Sequence, residues 1–190
     1  MKNKGFTLIE ILAVIMILGI IALIAIPSYT AYVNSTRRSA YFTNVKSYIE
    51  SAKSGLYQRE YGPLPEEGEA IIIPAKNIKL EREDTVYKSP FAMYDDQYTY
   101  IVVVARVTTG AAPSIVYDYY ATFLDRSSYG INNVASTRLE KKSIQRITDL
   151  TSIVSIGDIM NGRSLSYNGI TYVTCPGGDV NNPYHPLCES

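Results

Sequence analysis

The chain has 190 residues, its 18 Lys and Arg balanced by 18 Asp and Glu, with one histidine, two cysteines and 17 tyrosines. Zero formal net charge gives no sequence-wide case for binding nucleic acid, and the length suits one modest domain beside a short accessory segment. No pairing of nucleophile, base and acid stands out, so the composition offers no catalytic set, no cofactor site and no metal cluster, and the chain reads as a structural protein rather than an enzyme.

The N-terminus carries the strongest signal. Met1-Lys-Asn-Lys-Gly5 leads into Phe6-Thr-Leu-Ile-Glu10, and sixteen apolar residues follow from Ile11 to Ile26. As a helix, residues 6–26 are long enough to cross a hydrocarbon core of about 30 Å. Fourteen of them are Ile, Leu, Val or Phe, together contributing roughly −4 to −8 kcal/mol to insertion. That exceeds the penalty for Glu10, roughly 2.5–3.5 kcal/mol even at the costliest depth. Lys2 and Lys4 precede the segment and the next cations are Arg37 and Arg38, so the positive-inside rule places the N-terminus in the cytoplasm and the rest outside. A cleaved secretory signal fits poorly, because the apolar run is too long and Ala22 to Pro27 lacks an A-x-A-like site. A plain single-pass anchor competes better, yet gives no reason for an embedded acid. With no Lys or Arg between Ile11 and Thr36, a buried Glu10 needs a partner from another molecule or a freed terminus.

Gly5-Phe6-Thr7-Leu8-Ile9-Glu10 followed by an apolar helix resembles the processing and assembly signature of type IV pilins and the related pseudopilins. The resemblance covers about the first 30 residues. It implies a leader at residues 1–5, removed by a prepilin peptidase cutting between Gly5 and Phe6, and N-methylation of Phe6. It also implies that Glu10 pairs with the freed N-terminal amine of a neighbouring subunit. Gly19 and Pro27 match positions where the helices of this family are often loosened in the filament. An alternative for Pro27 is that it marks where the membrane helix meets the exterior, since proline costs about 3 kcal/mol inside a helix.

Beyond Pro27, Tyr41, Val45, Tyr48, Ala52 and Leu56 recur at spacings of three and four, with Ile49 beside them and charged residues on other faces. This predicts an amphipathic outer half of the helix over residues 28–61, ending near Tyr61-Gly-Pro-Leu-Pro65. Residues 62–190 form the expected head. Gln97 to Val107 and Ser114 to Leu124 are rich in β-branched and aromatic residues and read as strands joined by a hairpin at Thr108 to Pro113. Asn168-Gly169 marks a second hairpin over Ser166 to Val173. Thr148 to Met160 is ambiguous, with a possible short helical face. The expected fold is α+β: a long N-terminal helix, its first half at residues 6–27 crossing the membrane, with its outer half packed on an antiparallel sheet. The resemblance implies the same lollipop.

Cys175 and Cys188 lie outside the membrane, where an even count at short spacing favours a disulfide. Closing that loop contributes roughly 3 kcal/mol in the chain-entropy model. It resembles the disulfide-bounded C-terminal region of many type IV pilins. A zinc site using His185 is the alternative and is short of a ligand. His185 itself falls in a Pro-rich stretch and reads as a surface residue. Asp95-Asp96 reads as turn chemistry rather than a calcium site. The basic run Arg138 to Arg146 reads as a solvated face, with contact to DNA or an anionic surface as the alternative. Asn34-Ser-Thr36 fits a glycosylation acceptor pattern.

The resemblance implies a pilus subunit that polymerises into an extracellular filament for adhesion, twitching motility or DNA uptake. Its partners would be copies of itself, the peptidase, the assembly platform and minor pilins, in the membrane before assembly. The alternatives are a pseudopilin of a type II secretion or competence machine and a minor adhesive or ligand-binding pilin.

Overall fold

In the computed structural model, which describes residues 7–80, 87–110, 112–175 and 184–190, helix α1 runs from Leu8 to Tyr57. The chain divides into two compact units, Met1–Arg37 and Arg38–Ser190.

The first unit is the N-terminal stretch of α1. Its apolar residues go all round the helix, so no side of it is distinguished by polarity, and its large side chains from Leu8 to Ile26 are exposed. Pro27 does not break α1. Lacking an N–H, it leaves the Leu23 carbonyl without its usual partner. Hydroxyls supply extra bonds to the neighbouring carbonyls: Ser28 Oγ donates to Ile24 O at 3.1 Å, and Thr30 Oγ1 to Ile26 O at 3.2 Å and Pro27 O at 2.9 Å.

In the second unit α1 is one-sided. Tyr41, Val45, Tyr48, Ile49, Ala52 and Leu56 are buried, the stripe that the spacing predicted. The helix stops at Tyr57, four residues short of Tyr61, because a Schellman cap intervenes. Arg59 takes a left-handed φ of 58°, its N–H bonds back to Leu56 O, and Glu60 N–H bonds to Gly55 O, satisfying carbonyls that the helix end would orphan.

The sheet is antiparallel throughout. Its strands are β1 (Glu69–Pro74), β2 (Tyr100–Val107), β3 (Ile115–Leu124), β4 (Tyr129–Ala135), β5 (Gln145–Arg146), β6 (Leu165–Tyr167), β7 (Ile170–Thr174) and β8 (His185–Glu189). Among the described residues they order as β5-β4-β3-β2-β1-β8-β7-β6. Two hairpins fall where the sequence put them, β2–β3 and β6–β7, although β2 begins at Tyr100 rather than Gln97. Asn168 and Gly169 both have positive φ, 53° and 84°, the backbone of a type I′ turn. The ambiguous stretch from Thr148 resolves into a 3₁₀ turn at Leu150–Ser152 and a short α2 at Ile156–Met160. Ser155 and Asp158 close α2's N-terminus as a capping box.

Both faces of the sheet centre are buried, so β1 and β2 read as continuous apolar runs rather than alternating ones. On one face Ile71, Ile73, Ile101, Val103, Ala121 and Phe123 pack against the α1 stripe. Tyrosines dominate that seam: Tyr41 meets Tyr94 edge-on at 5.7 Å, and Tyr48 meets Phe123 at 5.3 Å. The Tyr41 hydroxyl donates to Phe123 O at 3.2 Å and Tyr129 O at 3.3 Å, so the ring is buried with its polar end satisfied. On the other face Ala70, Ile72, Tyr100, Val102 and Val104 pack with Leu165, Tyr167, Tyr172, Leu187 and Ile159. The sheet therefore curls, with β6–β7 and α2 returning over its own centre. Buried Asp125 pins the β3–β4 turn, accepting from Ser89 Oγ, the Ser127 and Tyr129 N–H groups and Ser127 Oγ.

The C-terminus corrects the sequence reading of His185. It is the first residue of β8, pairs with Ile72 of β1 and is only 7% exposed. Pro186 hides this strand in the sequence, since a proline demotes a run as a strand candidate.

Candidate functional site: the N-terminal segment

Gly5 and Phe6, the expected cleavage and methylation positions, lie outside the described residues. Glu10 is described, and its environment was not foreseen. Thr7 N–H donates to Glu10 Oε2 at 2.7 Å and Thr7 Oγ1 to the same oxygen at 2.8 Å, while Glu10 N–H lies 3.4 Å from Thr7 Oγ1. This is a capping box: Thr7 is the N-cap, Glu10 the third helical residue, and each side chain serves the other's backbone. The signal was in the sequence as Thr-x-x-Glu at the start of an apolar run. One subunit thus supplies Glu10 with neutral donors of its own. Among the described residues no ion pair reaches Glu10.

From Leu8 onward, α1 contains an eighteen-residue window of mean hydropathy 3.1, none of it buried, which makes it long and apolar enough to cross a membrane. A β-carbon built on Gly19 would meet nothing within 4 Å among the described residues. Within one chain, therefore, sterics do not demand glycine there. Gly19 and Pro27 are both helical.

At the other end of the chain, Cys175 and Cys188 are joined in a disulfide, with Cα atoms 5.1 Å apart. Cys188 lies in β8 opposite Val173 of β7, so the bond ties the segment after β7 to the strand inserted beside β1. Residues 176–183 of the intervening loop lie outside the described residues. His185 Nδ1 is buried and has no hydrogen-bond partner among the described residues. Burial, then the nearby Lys76, lowers its pKa below the ordinary value, which favours the neutral imidazole. No group of three His, Cys, Asp or Glu that could hold a metal occurs among the described residues. The basic run is spread over two 3₁₀ turns and β5, where Lys142 pairs with Glu140 at 2.8 Å on the surface. Asp95 and Asp96 occupy a turn, with Asp95 Oδ1 accepting from Gln97 N–H at 2.9 Å.

A family model for the prokaryotic N-terminal methylation motif matches residues 1–26. The chain is similar to the type IV major pilin protein PilA of Myxococcus xanthus (strain DK1622), 36% identical over 75 residues that cover 35% of this chain and 34% of that protein. It is 36% identical over 89 residues to the type IV major alpha-pilin of Moraxella bovis, covering 45% of this chain and 52% of the relative. A fimbrial protein of Pseudomonas aeruginosa is 40% identical over 56 residues, 30% of this chain and 36% of its own length. The chain thus spans about a third to a half of the length of the relatives it matches. No solved structure matches it.

Proposed function

We propose, from the premise that this chain belongs with the type IV pilins, that it is a structural subunit polymerising through its N-terminal helix into an extracellular pilus. The observation that carries this reading is the state of α1: an unbroken helix whose apolar first unit buries none of its membrane-length window. A helix apolar all round requires apolar surroundings. A bilayer supplies them before assembly, and the packed helices of other copies supply them in a filament.

Each N-terminal residue then has a task. Cleavage after Gly5 frees the amine of Phe6, which the peptidase methylates. The Glu10 carboxylate, held by Thr7 in the single subunit, meets the Phe6 amine of a neighbour and gains a cation, which residues 11–36 of its own helix lack. Because an uncompensated charge in apolar surroundings costs several kcal/mol, this pairing rewards one axial register and penalises the rest. Gly19 and Pro27 supply places where the helix loosens as subunits pack. The precursor is a single-pass membrane protein with its N-terminus in the cytoplasm, residues 6–27 in the bilayer, and the remainder outside. The relatives named as major pilins support a main filament subunit over a pseudopilin. Deleting the chain from its native host and imaging the surface by electron microscopy tests this. Filaments should vanish and should return, labelled by antibody to the head, when the chain is restored; filaments persisting at normal number and unlabelled after restoration would refute it.

A further inference from the structure

A groove of about 400 Å³ lies on the head, with all of its lining residues in the second unit. It is lined by β2, β3 and the end of β4 on one side and by the β6–β7 hairpin on the other. These elements stand far apart in strand order and meet because the sheet curls. Its volume falls within the range of small-ligand sites, roughly 300–1,000 Å³.

Three strand positions and the hairpin turn are tied together across the groove. Arg106 Nε donates to Asp118 Oδ2 at 2.9 Å, Asn168 Nδ2 reaches the same oxygen at 3.4 Å, and the Tyr120 hydroxyl donates to Asn168 Oδ1 at 2.9 Å. The Tyr120 and Tyr167 rings lie 4.5 Å apart beside this network. Such a network leaves hydrogen-bonding capacity unspent. The Arg106 guanidinium has five N–H donors, and only its Nε–H is committed to Asp118.

The backbone adds an independent observation. Pairing of β3 with β4 shifts register between Ala121 and Phe123. Two residues of β4, Asn132 and Asn133, therefore face the single Thr122, which is a β-bulge. Asn133 adopts a left-handed φ of 51°, and its N–H donates to Thr122 Oγ1 at 3.1 Å. Bulges re-aim side chains beside functional sites, and left-handed non-glycine residues persist where surrounding structure enforces them. Here the bulge puts an exposed asparagine into the groove lining, to which Arg138 from the turn that follows β4 also belongs.

The lining is chiefly amide, hydroxyl and guanidinium, with tyrosine rings and little aliphatic surface. That suits a ring carrying many hydroxyls better than an apolar side chain. Arg106 and Arg138 against Asp118 leave one positive charge in excess, which suits a carboxylate. We propose that this groove binds an acidic saccharide, a sugar ring bearing a carboxylate, with Arg138 facing the carboxylate and Asn133, Asp118 and Asn168 facing ring hydroxyls. This assignment does not rest on the pilin reading.

The test uses the full chain in micelles of a detergent without a sugar headgroup, titrated with digalacturonate, neutral digalactose and inorganic phosphate and followed by NMR. Digalacturonate should bind saturably and at least about tenfold more tightly than digalactose or phosphate. Arg138→Gln should abolish the preference for the acidic sugar. Asn133→Gly, which relieves the left-handed backbone, should leave thermal stability equal or higher while weakening digalacturonate at least about fivefold. Absence of saturable digalacturonate binding would overturn the proposal. So would phosphate binding equally well, which marks a bare anion patch, or affinity that neither substitution alters.

Discussion

The two units of this chain use the same apolar residues in opposite ways. In the first, Leu8 is 82% exposed and Leu23 76%, with isoleucines between them in similar states. In the second, Ile72, Ile73, Val103 and Phe123 are fully buried. Periodicity distinguishes the two uses. The first unit is apolar on every side and has no face to bury in its own chain. In the second, the α1 stripe repeats at helical spacing and the sheet covers it. One unit completes its core alone, while the other leaves its large apolar side chains exposed, to be covered, in the proposed function, by a bilayer or by copies of the chain. Substitutions should therefore fall into two kinds, some felt only in assembly and some only in the stability of the head.

The largest effect is expected at Glu10. Glu10→Ala removes the charge that the proposed function makes register-setting, and since about 1.4 kcal/mol is tenfold in an equilibrium, loss of a pairing worth several should reduce filaments per cell by at least about a hundredfold. Processing, membrane insertion and head stability should stay unchanged, as immunoblotting and thermal melts of the detergent-extracted chain would show. A fall in head stability would break the division between the units.

Gly130→Ala probes the opposite unit. A β-carbon at Gly130 would sit 2.0 Å from Phe123 O and 3.0 Å from Leu124 Cα. The contacts are backbone, so the β3–β4 pair must shift, costing about 3 kcal/mol and lowering the head's Tm by about 10 °C. Cleavage at Gly5 should be untouched. Replacing Cys175 and Cys188 by serine should cost about 2–4 kcal/mol, read as a lower denaturant midpoint, with the loss reproduced in the native chain by a reductant.

The smallest effect concerns pH. His185 has a folded pKa held below that of the unfolded chain, about 6.5. The unfolded state therefore binds the proton first as pH falls. Its contribution is complete above about pH 6.5 and is lost below it, towards the depressed folded value, at no more than about 1.4 kcal/mol per pH unit. His185→Gln should flatten that part of the head's stability profile. An unchanged slope would mean that the proton is taken up elsewhere.

What was legible in the sequence follows from the same contrast. The α1 stripe from Tyr41 to Leu56 and the β2–β3 and β6–β7 hairpins carry local periodicity or turn chemistry, and the N-terminus declares itself by an uninterrupted apolar run. β1 was missed because Ala70-Ile-Ile-Ile73 is buried on both faces and shows no alternation. β8 was missed because Pro186 argues against a strand, and its place beside β1 is a long-range pairing without a local signature. The helix end was misjudged by four residues because Arg59 fills a left-handed position usually given to glycine. At the candidate site, Glu10 was recognised as an embedded acid, but its Thr7 capping box went unread although Thr-x-x-Glu states it plainly. The groove was illegible, since Asp118, Asn133 and Asn168 converge only once the sheet curls.

The central claim is that the first unit is made to be processed and then packed among copies of itself. Intact-mass measurement of protein sheared from the surface of the native host tests it most directly. The account predicts a chain that begins at Phe6 and carries one added methyl group on its terminal amine, with Cys175 and Cys188 still bonded. A surface form that retains Met1, or one cut near Ala25 and so stripped of the apolar helix, would contradict it.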